Sequence, residues 1–149
     1  VVNAERIGGN QTVVESTIPD DQVSIEPLAA PPADPPTGET VTSPIGRIIG
    51  TRSGDKGGNA NLGVFARDPQ AWAWLNEFLT TEKLRSLLPE TSEMKIDRYE
   101  LPNILSLNFV IHGILEEGVA ASTRQDGQAK SLGEWLRARV VEIPKDLLE

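Results

Sequence analysis

Leu105, Leu107, Phe109 and Ile111 alternate with Ser106, Asn108, Val110 and His112. That period of two marks a strand with one buried face, and it is the cleanest such signal in the chain. Ile45, Arg47, Ile49 and Thr51 alternate with Gly46, Ile48, Gly50 and Arg52, which predicts an earlier strand. Leu62 to Arg67 predicts a second, Met94 to Leu101 a third, and Val140, Val141 and Ile143 a last one before Pro144. Between them the period lengthens. Ala71, Trp74, Leu75 and Phe78 recur at helical spacing behind Asp68-Pro69, an N-cap followed by proline at the first helical position. Thr80 or Thr81 caps a short continuation with Leu84, Leu87 and Leu88, which Pro89 stops. Pro102-Asn103 is a turn. Leu115 to Gly127 is a loop of small and polar residues, and Gln128 to Arg139 reads as a helix with Ala129, Leu132, Trp135 and Leu136 on one face.

The predicted order is β-β-α-β-β-α-β. Two βαβ-like halves with both helices on one face of a mixed or antiparallel sheet of about five strands make a ferredoxin-like α+β plan with an extra first strand. Six of the 11 prolines fall between Pro27 and Pro44, so residues 27–38 read as an extended linker. Gln11 to Ser16 (Thr12, Val13, Val14) and Gln22 to Ile25 (Val23, Ile25) are strand-like but too few to build a core alone. Residues 1–43 are therefore expected to be an acidic, proline-rich arm or linker, and 44–149 the compact domain.

Charge supports that division. Residues 1–43 carry seven acidic and one basic side chain, while 44–149 carry 15 acidic and 13 basic. A surface without clustered Lys and Arg is a poor partner for nucleic acid. With no cysteine, and with His112 the only histidine, disulfides, thiolate metal sites and multi-histidine metal sites are excluded within one chain. No metal or other cofactor is expected. Neither a leader-like start nor an apolar run of membrane length is present, so a cytoplasmic protein without a membrane partner is expected.

The candidate chemistry concentrates in Arg52-Ser53-Gly54-Asp55-Lys56-Gly57-Gly58-Asn59-Ala60-Asn61-Leu62-Gly63. Gly and Asn reach positive φ at little cost, so such a segment can turn several N–H groups into one concavity and hold an anion. It is not a phosphate-binding loop of the Walker type, since Lys56 is not followed by Ser or Thr. No helix pattern opens behind it as a dinucleotide fingerprint requires. Lys56 suits a carboxylate or phosphate, Asp55 a base or an orienting partner of Lys56, and Asn59 and Asn61 a carbonyl. The alternative is a tight hairpin with internal hydrogen bonds and a solvated ion pair.

Asn108 and His112 share the polar face of their strand, four residues and about 13 Å apart. His112 is a candidate general acid or base, and Asn108, if buried, needs partners that a subunit or ligand would supply. Asp126 is expected to cap the last helix, with Ser122 and Arg124 able to meet an anion at its start. Trp72, Trp74 and Trp135 fall on helix patterns as core or interface residues.

Together with Tyr99-Glu100-Leu101-Pro102-Asn103, Leu107-Asn108-Phe109, and Gly118 to Thr123 followed by Asp126, Gln128, Ala129 and Lys130, the glycine segment resembles the C-terminal domain of the acyclic terpene utilisation protein AtuA family over about residues 44–148. The resemblance implies a ferredoxin-like fold. It also implies a link to bacterial breakdown of acyclic terpenoids or branched acids through acyl-CoA intermediates. In larger relatives the domain follows a big α/β domain, and it also stands alone as a short protein. No catalytic residues come with the resemblance, but Asp55, Lys56, Asn59, Asn61 and Asn108 lie in the signature segments.

Three readings follow. In the first, this is an accessory or assembly domain that self-associates or completes a larger AtuA-type catalytic subunit. Arg52, Asp55, Lys56, Asn59, Asn61 and Asn108 then face an acyl-CoA ligand or a partner. In the second, the chain is itself an enzyme on an acyl-CoA or related carboxylate, with Asp55, Lys56 and His112 as catalytic candidates. The third is a purely structural oligomerisation module.

Overall fold

The computed structural model describes residues 33–149. Six strands and three helices follow one another as β1 (Thr40–Pro44), β2 (Ile49–Lys56), β3 (Asn59–Ala66), α1 (Pro69–Phe78), α2 (Thr81–Leu87), β4 (Ile96–Leu101), β5 (Ser106–Ile111), α3 (Leu132–Arg137) and β6 (Val140–Pro144). β2-β3-β5-β4 form one antiparallel sheet, and β1 pairs with β6 in a second, two-stranded one. The architecture is α+β and ferredoxin-like: β5 lies between β3 and β4, which the α1–α2 segment connects. β2 takes the edge beside β3, and the last strand closes with β1 instead of joining the four-stranded sheet. Thr40 to Ser43 thus pair with β6, ahead of the expected boundary at 44. The strand-like stretches at Thr12 to Val14 and Val23 to Ile25 lie outside the described residues.

The pleat sorts the main sheet into two faces. Ala60, Leu62, Val64 and Ala66 of β3, Leu107, Phe109 and Ile111 of β5, and Ile96 of β4 are all buried. They pack with Ala71, Trp72, Trp74 and Leu75 of α1, Leu84 of α2, and Leu132 and Leu136 of α3 in one core. The expected caps are present: the Asp68 carboxylate accepts from Ala71 N–H at 2.8 Å, and the Thr80 hydroxyl accepts from Lys83 N–H at 3.1 Å. Trp72 and Trp74 are core residues, with Trp74 stacked on Phe78 at 4.3 Å, whereas Trp135 is 38% exposed. Arg98 ties sheet to helix. Its guanidinium donates to the carbonyls of Asn76 and Leu79 at 2.7 and 3.1 Å, satisfying acceptors that the end of α1 leaves open.

Three expected elements differ. Ile45 to Arg47 form a 3-10 turn, and the strand begins at Ile49. Ile45, Ile48 and Ile49 are all buried, a spacing that a strand cannot direct to one side. The helix expected over 128–139 is confined to Leu132–Arg137. Ala129 sits at φ +52°, which breaks any helix through it, and its methyl is buried in the core. Asp126 therefore caps no helix: its carboxylate accepts from Lys130 and Ser131 N–H at 2.9 and 3.0 Å and holds a turn. Third, the glycine segment is mostly strand, as described below.

Arg98→Ala should lower unfolding stability by about 2 kcal/mol, the scale of charged hydrogen bonds to half-buried acceptors. Arg98→Lys should recover only part, since one ammonium cannot span both carbonyls. Urea denaturation of the three proteins checks this.

Candidate functional site

The glycine segment folds as a hairpin. Lys56 faces Asn59 across a turn of Gly57 and Gly58, and pairing continues to Ile49 opposite Ala66. Gly57 has φ +64°, as the first central position of a two-residue turn demands. At Gly58 a Cβ would stand 2.2 Å from the Glu116 carbonyl, so the turn is seated against the loop after β5. The expected concavity of turned N–H groups is absent: those of Arg52, Gly54 and Lys56 are spent on the ladder between β2 and β3, and those of Thr51, Ser53 and Asp55 lie along the open edge of the strand. What the segment presents is side chains.

Alternation places Gly50, Arg52, Gly54 and Lys56 of β2 on the face away from the core, beside Asn59, Asn61, Gly63 and Phe65 of β3. Thr51, Ser53 and Asp55 point to the helix side. Arg52, Ser53, Gly54, Asp55, Lys56, Asn61, Gly63 and Lys130 surround a hollow of about 370 Å³. A second hollow of about 250 Å³ lies against Thr51, Arg52, Ser53, Lys130, Gly133 and Glu134. Residues of both faces line the same space, so the cleft wraps the outer edge of β2. Its far wall is the segment before α3, fixed by Ser53: the hydroxyl donates to the Lys130 carbonyl at 3.1 Å and accepts from Gly133 N–H at 3.0 Å. Thr51 Oγ1 beside it is buried without a partner among the described residues.

The cleft is polar and cation-rich. Arg52, Lys56 and Lys130 bring three positive charges against Asp55 and Glu134. Lys56 does not pair with the Asp55 carboxylate; its ammonium donates to the Asp55 backbone carbonyl at 2.9 Å. Asn61 and Asn108 satisfy each other across β3 and β5, Nδ2 of Asn61 donating to Oδ1 of Asn108 at 2.6 Å with the reciprocal contact at 3.4 Å. Asn108 thus finds its partner within the chain. Asn59 lies away from the cleft, its Oδ1 accepting from Gly113 N–H at 2.9 Å.

His112 is elsewhere. Its Nε2 contacts the Asp97 carboxylate at 2.7 Å, and Lys95 approaches the same carboxylate at 3.3 Å. β5 lies two strands from β2, about 10 Å across the sheet. The structure therefore joins Arg52, Asp55, Lys56 and Asn61 in one cleft with Asn108 adjoining, and leaves Asn59 and His112 out of it. Ser122 and Arg124 do not line it either. Lys130 and Ser53 belong to the family-like segments but were not among the expected site residues. Lys130 is 74 residues from Lys56 in number, and only the fold makes them neighbours. Among the described residues no three His, Cys, Asp or Glu side chains gather as metal ligands, and no helix is long and apolar enough to cross a membrane.

The Asp97 carboxyl is held below its usual range, first by the hydrogen bond to His112 and then by Lys95. Glu142 is lowered by the hydroxyls of Thr42 and Thr40 across the β1–β6 pair. A lowered folded value contributes stability that is complete above the unfolded carboxylate value of about 4. It is lost as pH falls from there through the folded value. Denaturation midpoints should hold from pH 7 to 5 and drop below pH 4, and Asp97→Asn should flatten part of that drop. In a double-mutant cycle, Asn61→Ala and Asn108→Ala should couple by about 1 kcal/mol, because either single change strands the other amide.

Comparison with known proteins adds the family. No curated protein and no solved structure matches the chain, but the family model of the AtuA ferredoxin-like domain matches residues 43–142. That span contains the whole four-stranded sheet, the three helices and every side chain of the cleft. The chain belongs to the AtuA ferredoxin-like domain family.

Proposed function

We propose that this is an accessory domain that uses the edge cleft of β2 to hold the acidic part of a ligand, a carboxylate or phosphate of an acyl-CoA. It serves a cytoplasmic protein of terpenoid or branched-acid breakdown. The observation that carries the reading is the composition of the cleft. Arg52, Lys56 and Lys130 converge on one polar hollow. A guanidinium and two ammonium groups at the rim suit a multiply charged anion. Asn61, with Asn108 behind it, offers amide groups on the floor.

The same geometry favours an accessory role over a self-sufficient enzyme. Asp55 has no histidine within reach. The only histidine is held by Asp97 of β4, at the far edge of the sheet. A general acid or base has to stand within hydrogen-bond reach of the proton it moves, directly or through one water. With no histidine beside Asp55, the cleft is read as one that binds and positions, and a larger AtuA-type subunit as the source of the chemistry.

Thermal melting with CoA, a branched acyl-CoA and the free branched acid tests this. At a hundredfold excess over Kd a ligand of the native state adds about 2.7 kcal/mol. For a domain of this size that raises Tm on the order of 10 °C. Arg52→Ala combined with Lys56→Ala should abolish the shift while leaving the unliganded Tm within a few degrees. The absence of any shift with all three compounds would refute the binding role, and acyl-CoA turnover by the isolated chain would refute the accessory one.

A further inference from the structure

β2 is an edge strand of eight residues, and its free side is unusually well prepared for another strand. In a hairpin closed by two residues the flanking pair, Lys56 and Asn59, exchanges both hydrogen bonds. The backbone groups of Arg52, Gly54 and Lys56 therefore point to β3, and those of Thr51, Ser53 and Asp55 point outward. The Lys56 ammonium on the Asp55 carbonyl confirms the direction, since it reaches that carbonyl on the open side. The other outward N–H and C=O groups of these three residues have no hydrogen-bond partner among the described residues. Gly54 is the second sign. A Cβ built there meets nothing within 4 Å, and its φ is not of the left-handed kind. Neither packing nor backbone conformation within the chain requires a glycine at this position.

We propose that β2 pairs antiparallel with β2 of a second copy of this chain, about a two-fold axis at Ser53, joining two four-stranded sheets into one of eight. The charges of the strand select that register. Residues directly opposite each other share a face, so the axis must pass through a residue position. An axis at residue 52 sets Arg52 on Arg52, one at 54 sets Arg52 on Lys56, and one at 55 sets Asp55 on Asp55. Like charges directly opposite are destabilising. An axis at 51 pairs only residues 49–53, because the chain turns away at Ile45–Arg47.

An axis at Ser53 pairs residues 50–56 in full and opposes no like charges. Thr51 meets the partner's Asp55, and the outward groups of residues 51, 53 and 55 match those of the partner in hydrogen-bonded pairs. On the open face each Arg52 lies across from the partner's Gly54, whose empty space receives it. Each Lys56 lies across from the partner's Gly50. The space above Gly50 is already filled by the Phe65 ring, which a Cβ there would overlap and which is 44% exposed. The partner's Lys56 therefore comes against that ring, a cation–π contact.

The pairing rests on the proposed function and narrows it: the partner strand takes the part of the hollow beyond the edge of β2, and the part over Arg52, Lys56, Asn61 and Gly63 becomes the shared ligand space. The partner's Arg52 over Gly54 adds a guanidinium to the hollow already bounded by Arg52, Asp55 and Lys56. An edge left bare in the single chain becomes the seam along which two cation sets face one ligand space.

Because the chain has no cysteine, disulfide trapping reads the register directly. Positions 52 and 54 of opposite copies form a non-hydrogen-bonded pair with Cα atoms about 4.5 Å apart, within disulfide reach. Residue 52 of one copy and 52 of the other are diagonal, about 7–8 Å apart, as are the two residues 54. Arg52→Cys and Gly54→Cys chains, oxidised separately and then as a mixture, should give a covalent dimer in the mixture at least tenfold faster than in either alone. Sedimentation of the native chain should show a dimer, a readout that needs no variant. A native chain that stays monomeric at 100 μM overturns the proposal. So does faster trapping of Arg52→Cys alone, which places the axis at 52, or of Gly54→Cys alone, which places it at 54. Ligand-induced melting is scored separately, so loss of the binding role and loss of the dimer are distinguishable.

Discussion

The ladder between β3 and β5 sets the positions of everything else. Leu62 lies opposite Phe109 and Val64 opposite Leu107, all fully buried, and the helices are built against this double row. On the other side of the same two strands, Asn61 and Asn108 hold each other through their amides. The two faces enforce one register. A slip of one residue would put Leu62 and Phe109 on opposite faces and drive one of the two asparagines into an apolar core without its partner. β2 inherits its position from β3 through the Gly57-Gly58 turn, and β4 inherits its own from β5. The direction of each β2 and β3 side chain in the cleft therefore follows from the hydrophobic ladder beside it.

That dependence explains the division of labour among the polar residues. Most are spent on structure: Asn59 holds the turn at Gly113, Asp97 holds His112, Arg98 closes the end of α1, and Asp126 closes the turn before α3. The side chains of Arg52, Asp55 and Lys130 have no such hydrogen-bonded duty among the described residues, and Lys56 has only an exposed contact with its neighbour's carbonyl. The cleft is thus a place where charge is not consumed by the fold. It lies at an edge, where unpaired backbone groups and spare side chains meet, and this is why ligand binding and strand pairing are read from the same residues.

Legibility from sequence was uneven for physical reasons. α1 and β5 could be read closely because each carries its own boundary signals. Asp68-Pro69 caps and starts the helix, and the alternation from Leu105 coincides with the burial of Leu107, Phe109 and Ile111. Asp126 looked like a helix cap because an Asp before an apolar periodic stretch usually is one. The deciding fact was Ala129 at positive φ, held there by burial of its methyl. The glycine segment looked like an anion loop because its composition permits one. A two-residue turn needs only Gly57 and Gly58, and the ladder took the rest.

Within the candidate site, the sequence marked Arg52, Asp55, Lys56 and Asn61, neighbours along one hairpin. It carried Lys130 only as part of a family-like segment with no link to the hairpin, and it placed His112 on the right face without the distance to the cleft. By itself the sequence determined the α+β ferredoxin-like class, the starts of the first two helices and the buried face of β5. These follow from periodicity and capping, which are local. Only the tertiary structure decided that β6 closes with β1, that the last helix is short, and which charges share a cleft. Those outcomes depend on pairings between segments far apart in the chain, where the free energy belongs to the contact and neither segment carries it alone.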